Sequence, residues 1–183
     1  MRFMRSRHGI KAMIDPIEAR VLAQCAAELL ELLGASEEES DDPLAALVGL
    51  PPGDVATPED PALARLFPDA YGDDPAAATD FRRYTEADLR AGKRAAASAA
   101  LVQLQPLLEG GGRLLLDRDE ADLWLSWLND IRLVLGTRLE VTEELDEDDV
   151  DPDDPRAHAL AVYGWLGWLQ ESLLTCLDPR PTS

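Results

Sequence analysis

The sequence predicts a mainly α-helical protein, a bundle of four long helices plus short helices, with a small β-hairpin at the N-terminus. The 183-residue chain is rich in Ala and Leu and has only 5% aromatic residues, a composition that favours helix over sheet. Apolar residues also recur at helical spacing in several separate segments. A chain of this length can bury a core without metals or disulfides, so we expect residues 1–183 to form a single helical domain.

The hairpin and the first helix are predicted from turn and capping signals. His8-Gly9 is a turn signal between two short apolar segments, which is typical of a hairpin. Asp15-Pro16 supplies an N-cap and a first-turn proline, so a helix begins there and ends at Gly34.

Two segments rich in acidic residues or proline interrupt the helical pattern. Residues 35–62 hold an acidic run and a cluster of prolines, and residues 140–154 hold acidic residues and no basic one. We expect both to be flexible loops, apart from a short helix at Pro61–Leu66. The aspartates of 149–153 have the spacing of a calcium loop, but Asp154 replaces its required glycine, so we favour a solvated loop.

Three more long helices are predicted downstream. Thr85 has the form of a capping box with Asp88, so a long helix begins there, after a shorter helix that ends near Tyr84. After a glycine run at 110–112 and a brief extended piece, Asp117 caps the next helix, again as a capping box.

The last helix, from about residue 155 to 177, is apolar nearly all round. Such a helix lies either at the centre of the core or in a homodimer interface. Tryptophans occur as two pairs, Trp124/Trp127 and Trp165/Trp168, which predicts packing between the last two long helices.

Cysteine usage indicates a reducing compartment. Cys25 and Cys176 are far apart in sequence and form no metal-type spacing. No apolar stretch of signal-peptide or membrane-spanning length is present, so we expect a cytoplasmic protein that does not enter a membrane. The two cysteines are either small buried hydrophobes or a redox pair, which requires the first and last helices to pack side by side.

No pattern of catalytic residues is found. The chain has no nucleophile elbow, phosphate loop or dinucleotide fingerprint, and its histidines fit no metal pattern. We therefore expect no enzyme, no cofactor and no metal. Asn129, Asp130, Arg132 and Arg138 interrupt an apolar helix, and pairing with neighbouring helices is the favoured interpretation. The alternative is an enzyme with an unfamiliar site around Asn129, Asp130 and Arg138.

A basic segment stands out in a chain whose formal net charge is −19. Such a charge repels nucleic acid and anionic membranes on average, so DNA binding is weak unless it is local or assisted. Basic residues interleaved with aromatic ones can hold a nucleic-acid strand or an acidic protein surface, and the alternative is an ordinary solvated helix face. The candidate contact residues are Arg82, Arg83, Arg90, Lys93 and Arg94. This patch would grow if folding brought Arg2, Arg5, Arg7 and Lys11 beside it.

Four segments together resemble an actinobacterial family known only as a domain of unknown function. They are Arg65–Tyr71, Phe81–Arg90, Trp127–Arg138 and Tyr163–Ser172. The most specific part is the run Leu-Asn-Asp-Ile-Arg-Leu-Val-Leu-Gly-Thr-Arg within the third segment. The resemblance covers most of the chain but not its acidic loops.

The resemblance implies a regulatory, non-enzymatic role. Some members of that family are described as oxidative-stress transcriptional regulators of actinomycetes that act with an alternative sigma factor. For this chain it implies contact with RNA polymerase, a sigma factor or DNA. The chain has no close-spaced cysteine pair, so the resemblance assigns no thiol switch to Cys25 and Cys176. The alternative to a transcriptional role is a protein-interaction adaptor that docks through the acidic loop or the Trp-rich helices.

Overall fold

A computed structural model describes residues 1–34, 58–68, 75–142 and 153–178, with backbone only over 75–83. Most of the two predicted loops, and most of the calcium-loop pattern within one of them, lie outside these residues. The described chain is a helical bundle with a small antiparallel sheet, which confirms the predicted fold class.

The elements follow one another as strand pairs and helices. In chain order they are β1 Met4–Ser6, β2 Gly9–Ile14, α1 Pro16–Leu32, α2 Pro61–Leu66, α3 Pro75–Leu104, β3 Gly112–Leu116, α4 Arg118–Arg138 and α5 Ala157–Leu177. A single 3₁₀ turn, Gln105–Leu107, extends the end of α3.

The sheet has the order β1-β2-β3, and both of its strand pairs are antiparallel. The predicted hairpin forms β1 and β2, and the predicted extended piece after the glycine run becomes β3, which pairs along the other side of β2. One face of the sheet packs on the helices through buried side chains. These are Ile10, Ala12, Ile14, Leu114 and Leu116.

Capping residues define the starts of α1 and α4, as the sequence predicts. Asp15 accepts hydrogen bonds from the backbone N–H groups of Ile17 (2.8 Å) and Glu18 (2.9 Å), and Glu18 bonds back to the N–H of Asp15. Asp117 and Glu120 form the same reciprocal box at the start of α4. Each cap satisfies N–H groups that have no partner within the helix.

The predicted helix start at Thr85 is wrong, because α3 is one continuous helix from Pro75 to Leu104. A capping box starts a helix only where the preceding backbone is not helical. Here the preceding residues include Ala76, Ala77 and Ala78, which favour helix, so the helix runs through Thr85 without a break.

The centre of the bundle is α4, which packs against α1, α2, α3 and α5. Of the two positions predicted for the last helix, the centre of the core is not the one observed, and the homodimer interface stays a prediction. Helix α5 buries one side against α4, whereas Trp168 (48% exposed) and Leu174 (41% exposed) face outward. Of the tryptophan pairs, only Trp124 and Trp127 are fully buried, with ring centroids 5.5 Å apart.

Gly9 provides a test of the hairpin, because it has a φ of +124° and a Cβ there would lie 2.2 Å from the carbonyl oxygen of Leu116. We expect Gly9→Ala to lower the free energy of unfolding by at least about 2 kcal/mol, through strain and a backbone clash. Urea unfolding measures the change.

Gly92→Ala is the matched control. Gly92 lies in α3 with open space around the position of a Cβ, so the substitution should raise stability by roughly 0.5–1 kcal/mol. An unfolding curve for Gly9→Ala that matched wild type would show that the turn is not built as described.

Candidate functional site

Helix α3 carries all five basic residues that the sequence predicts as a partner contact. Arg82 and Arg83 lie on the helix, but their side chains are outside the described part of the chain. The guanidinium of Arg90 lies 4.6 Å from the centroid of the Phe67 ring and donates to the carbonyl of Leu33 (2.8 Å).

Two of these cations cap the end of another helix. The Leu33 carbonyl that accepts from Arg90 lies at the C-terminus of α1, and Arg94 donates to the carbonyl of Leu30 in the same turn (3.1 Å). The last carbonyls of a helix lack partners within it and carry partial negative charge. Arg90 also pairs with Glu86 (2.7 Å). Both arginines therefore already bind within the fold.

Lys93 makes the most buried ion pair described. Its Nζ lies 2.6 Å from Oδ1 of Asp130 on α4, and the Asp130 side chain is only 2% exposed. Burial raises the pKa of Asp130, while the hydrogen bond and charge of Lys93 oppose that rise. Oδ2 of Asp130 is also buried and accepts no hydrogen bond from the described residues. Removal of either charge would leave the other one buried without a partner.

A second polar cluster joins α4 to α5, and we call it the Arg132 cluster. It comprises Arg132, Gly136, Tyr163, Gly167 and Gln170. Nη1 of Arg132 donates to Oε1 of Gln170 (2.7 Å), and the guanidinium lies 4.9 Å from the centroid of the Tyr163 ring. The two glycines make room: a Cβ on Gly167 would come within 3.3 Å of the guanidinium, and one on Gly136 within 3.3 Å of the tyrosine ring.

The residues of the alternative enzyme site do not converge. Asp130 pairs with α3, and Arg138 binds Asp60, the N-cap of α2 (2.5 Å). Asn129 lies beside Gln170 of α5 in an open groove of about 400 Å³. The polar residues of α4 therefore fix three different neighbours, as the pairing interpretation predicts. Arg132 differs from that prediction, since its described partners are an amide and an aromatic ring.

The N-terminal cations do not join the basic segment of α3 through its described side chains. Arg90 and Arg94 bind at the C-terminal end of α1, whereas β2 leads into its N-terminal end, about 25 Å away for a helix of 17 residues. Arg5 instead donates to the carbonyls of Cys176 (2.7 Å) and Asp178 (2.6 Å) at the end of α5.

Both cysteines are free thiols. Burial raises the pKa of Cys25 to about 11, and burial also raises the pKa of the half-buried Cys176 although Arg5 and Arg2 oppose it. Helix α1 packs chiefly on α3, and α5 packs chiefly on α4. The first and last helices thus lack the extended side-by-side contact that a redox pair requires.

The described residues contain no group of three or more His, Cys, Asp or Glu side chains that could hold a metal ion. None of the helices in the described ranges is long and apolar enough to span a membrane.

Sequence reasoning missed the Lys93–Asp130 pair and the Arg132 cluster as specific contacts. Lys93 and Asp130 are 37 positions apart, and Arg132 and Gln170 are 38 positions apart. No local sequence motif indicates a contact between residues so far apart. The only signal is indirect: Gly136 and Gly167 lie inside helices, where glycine is unfavourable unless a neighbour needs the space.

Comparisons with known proteins place these features in a family. A family model described as a domain of unknown function (DUF2017) matches residues 1–177. The putative oxidative stress regulator AosR of Mycobacterium leprae is 36% identical over 181 residues, which cover 91% of this chain and 82% of that protein. The oxidative stress regulator AosR of Mycobacterium tuberculosis (strain ATCC 25618 / H37Rv) is 33% identical over 178 residues, with 91% and 81% coverage. No solved structure matches significantly.

The buried pair predicts an asymmetric mutational effect. We expect Lys93→Met to lower the free energy of unfolding by about 3–5 kcal/mol, because Asp130 is left buried without its partner. The double variant K93M/D130L should recover part of that loss, since neither charge remains. Chemical unfolding measures both.

The exposed pair Arg118–Asp122, with side chains 68% and 54% exposed, is the control, and Arg118→Met should cost less than about 1 kcal/mol. A double variant less stable than Lys93→Met would contradict the role of the pair.

Thiol accessibility tests the redox interpretation. We expect a thiol reagent to label Cys176 well before Cys25, because Cys25 is buried and its thiolate is scarce at neutral pH. Labelling rates of Cys25→Ser and Cys176→Ser separate the two. Rapid labelling of both thiols in the native protein would contradict the burial of Cys25.

Proposed function

The chain belongs to the DUF2017 family, and from that premise we propose that it is a regulatory protein of the oxidative-stress response that acts by binding the transcription machinery. The observation that carries the proposal is the similarity to proteins named oxidative stress regulators, over 91% of this chain. The names of these relatives do not mention a binding partner, so contact with RNA polymerase, a sigma factor or DNA is our proposal.

Action by binding rather than by catalysis is the second part of the proposal. It is supported by the contacts that the polar side chains of α4 make within the fold. Asp130, Arg132 and Arg138 each hold a different neighbouring helix, which leaves them no common substrate position. The names of the relatives, which are regulators, favour the same view.

We propose a protein rather than free DNA as the first partner. A net charge of −19 repels the phosphate backbone, so any DNA contact is local or depends on a bound protein. The α3 cations are retained as the candidate contact. Within that set we expect Arg82 and Arg83 to matter most, because Arg90, Lys93 and Arg94 already have partners within the fold.

An adaptor role unrelated to transcription is the second candidate. The outward side of α5 favours it, since Trp168 and Leu174 are large apolar side chains with 48% and 41% of their surface exposed. Aromatic residues of this kind are enriched in protein interfaces.

Affinity capture of the tagged full chain from host lysate, with and without peroxide, tests the proposal. We expect RNA polymerase or a sigma factor among the recovered proteins, in an amount that changes with peroxide. The variant R82E/R83E should reduce that recovery, and R65E/R118E, which changes the charge equally at exposed sites elsewhere, should not.

Each other outcome has a defined meaning. Recovery of a different stoichiometric partner would favour the adaptor, and recovery of no partner under either condition would contradict both binding roles. Equal losses in the two variants would remove Arg82 and Arg83 from the contact.

A further inference from the structure

The solvent side of the three-stranded sheet is the surface that the fold leaves unexplained. Alternation along the strands sends one set of side chains to the core and the other set outward. We call the second set the outer face. It consists of Met4, Lys11, Met13, Arg113 and Leu115.

The register places these side chains next to one another. Met4 pairs with Lys11, and Lys11 pairs with Leu115, so these three form one row across the sheet. Met13 pairs with Arg113 in the adjacent row of β2 and β3. Directly opposed side chains on antiparallel strands are in contact range. The outer face is therefore one continuous patch.

The patch combines apolar surface with positive charge. Met4, Met13 and Leu115 are 44%, 60% and 49% exposed, and no described element covers them. Contiguous exposed apolar side chains on a folded domain commonly mark an interaction site. Lys11 and Arg113 lie among them, and the turn between β1 and β2 adds Arg7.

The local charge is opposite to that of the whole chain. Residues 1–14 hold four basic residues and no acidic one, whereas the chain has a net charge of −19. The carboxylates that directly follow the ends of β2 and β3 are Asp15 and Asp117. Both accept backbone hydrogen bonds as helix N-caps. Among the described contacts, neither carboxylate forms an ion pair with Lys11 or Arg113.

We propose that the outer face binds an acidic segment of a partner protein, one in which apolar side chains alternate with carboxylates. Lys11 and Arg113 attract the carboxylates, and Met4, Met13 and Leu115 provide the apolar contact. Flexible methionines adapt to different apolar side chains, which suits recognition of a short segment.

The same observations disfavour two other occupants. A second copy that docks face to face sets Lys11 and Arg113 against like charges, and the two chains also repel by their net charge. Nucleic acid is disfavoured because the outer face presents methionine and leucine rather than aromatic rings that stack with bases. This surface is separate from the α3 cations, so the inference holds whether or not the partner belongs to the transcription machinery.

Titration of the isotope-labelled full chain with a synthetic peptide of alternating glutamate and leucine tests the proposal. We expect amide shifts at β1, β2 and β3, and an affinity that falls as salt is raised from about 50 to about 500 mM. Peptides with serine in place of leucine, or lysine in place of glutamate, should bind at least about tenfold more weakly.

Paired variants separate the two contributions. K11E/R113E should weaken binding about tenfold or more, whereas R65E/R118E, with the same charge change, should leave it unchanged. M13S/L115S should also weaken binding, and its control is L89S/V102S, which removes exposed apolar side chains from α3. Melting temperatures confirm that each variant is folded.

Three results would overturn the inference. The first is no binding of the glutamate–leucine peptide, and the second is equal weakening in a variant and its control. The third is duplex DNA that binds the outer face more tightly than the peptide. All three results come from binding measurements on the purified protein. They therefore do not depend on which partner the capture experiment recovers.

Discussion

The fold depends on the central position of α4, which carries the buried carboxylate of Asp130 and the partly buried guanidinium of Arg132. A buried polar group must find a partner or destabilise the fold, so each of these side chains fixes a neighbour. Asp130 holds α3 in place through its ion pair with Lys93, and Arg132 holds α5 in place through its hydrogen bond to Gln170. The polar contacts of α4 are specific to one arrangement.

The chain has 17 Lys and Arg residues against 36 Asp and Glu residues. The basic side chains that the structure describes on α3 stabilise the fold. Arg90 and Arg94 satisfy carbonyls at the end of α1, and Lys93 neutralises a buried carboxylate. A basic run in sequence is thus a poor guide to a basic surface. The sheet shows the reverse case, since Lys11 and Arg113 are far apart in sequence but lie on the same face of the sheet.

Local sequence motifs predicted the helix caps and the turn, but they did not predict contacts between residues that are distant in sequence. The N-cap at Asp15, the capping box at Asp117, the short α2 and the hairpin at Gly9 were predictable, because each depends on a few adjacent residues. Thr85 shows the limit: the same motif inside a longer helix has no effect on its boundaries. The central place of α4, and the partners of its polar groups, could not be predicted, since the apolar content of α5 fitted a central helix as well as an interface helix.

The distribution of charge constrains how such a protein can regulate. Its net charge disfavours nucleic acid on average, and in the proposed complex the basic, apolar outer face of the sheet would orient the protein toward an acidic partner. Long-range repulsion and a local attractive patch together favour partners whose acidic groups are concentrated in one segment. Specificity of this kind needs no catalytic group, and it leaves the bundle to serve as the support that holds the face in place.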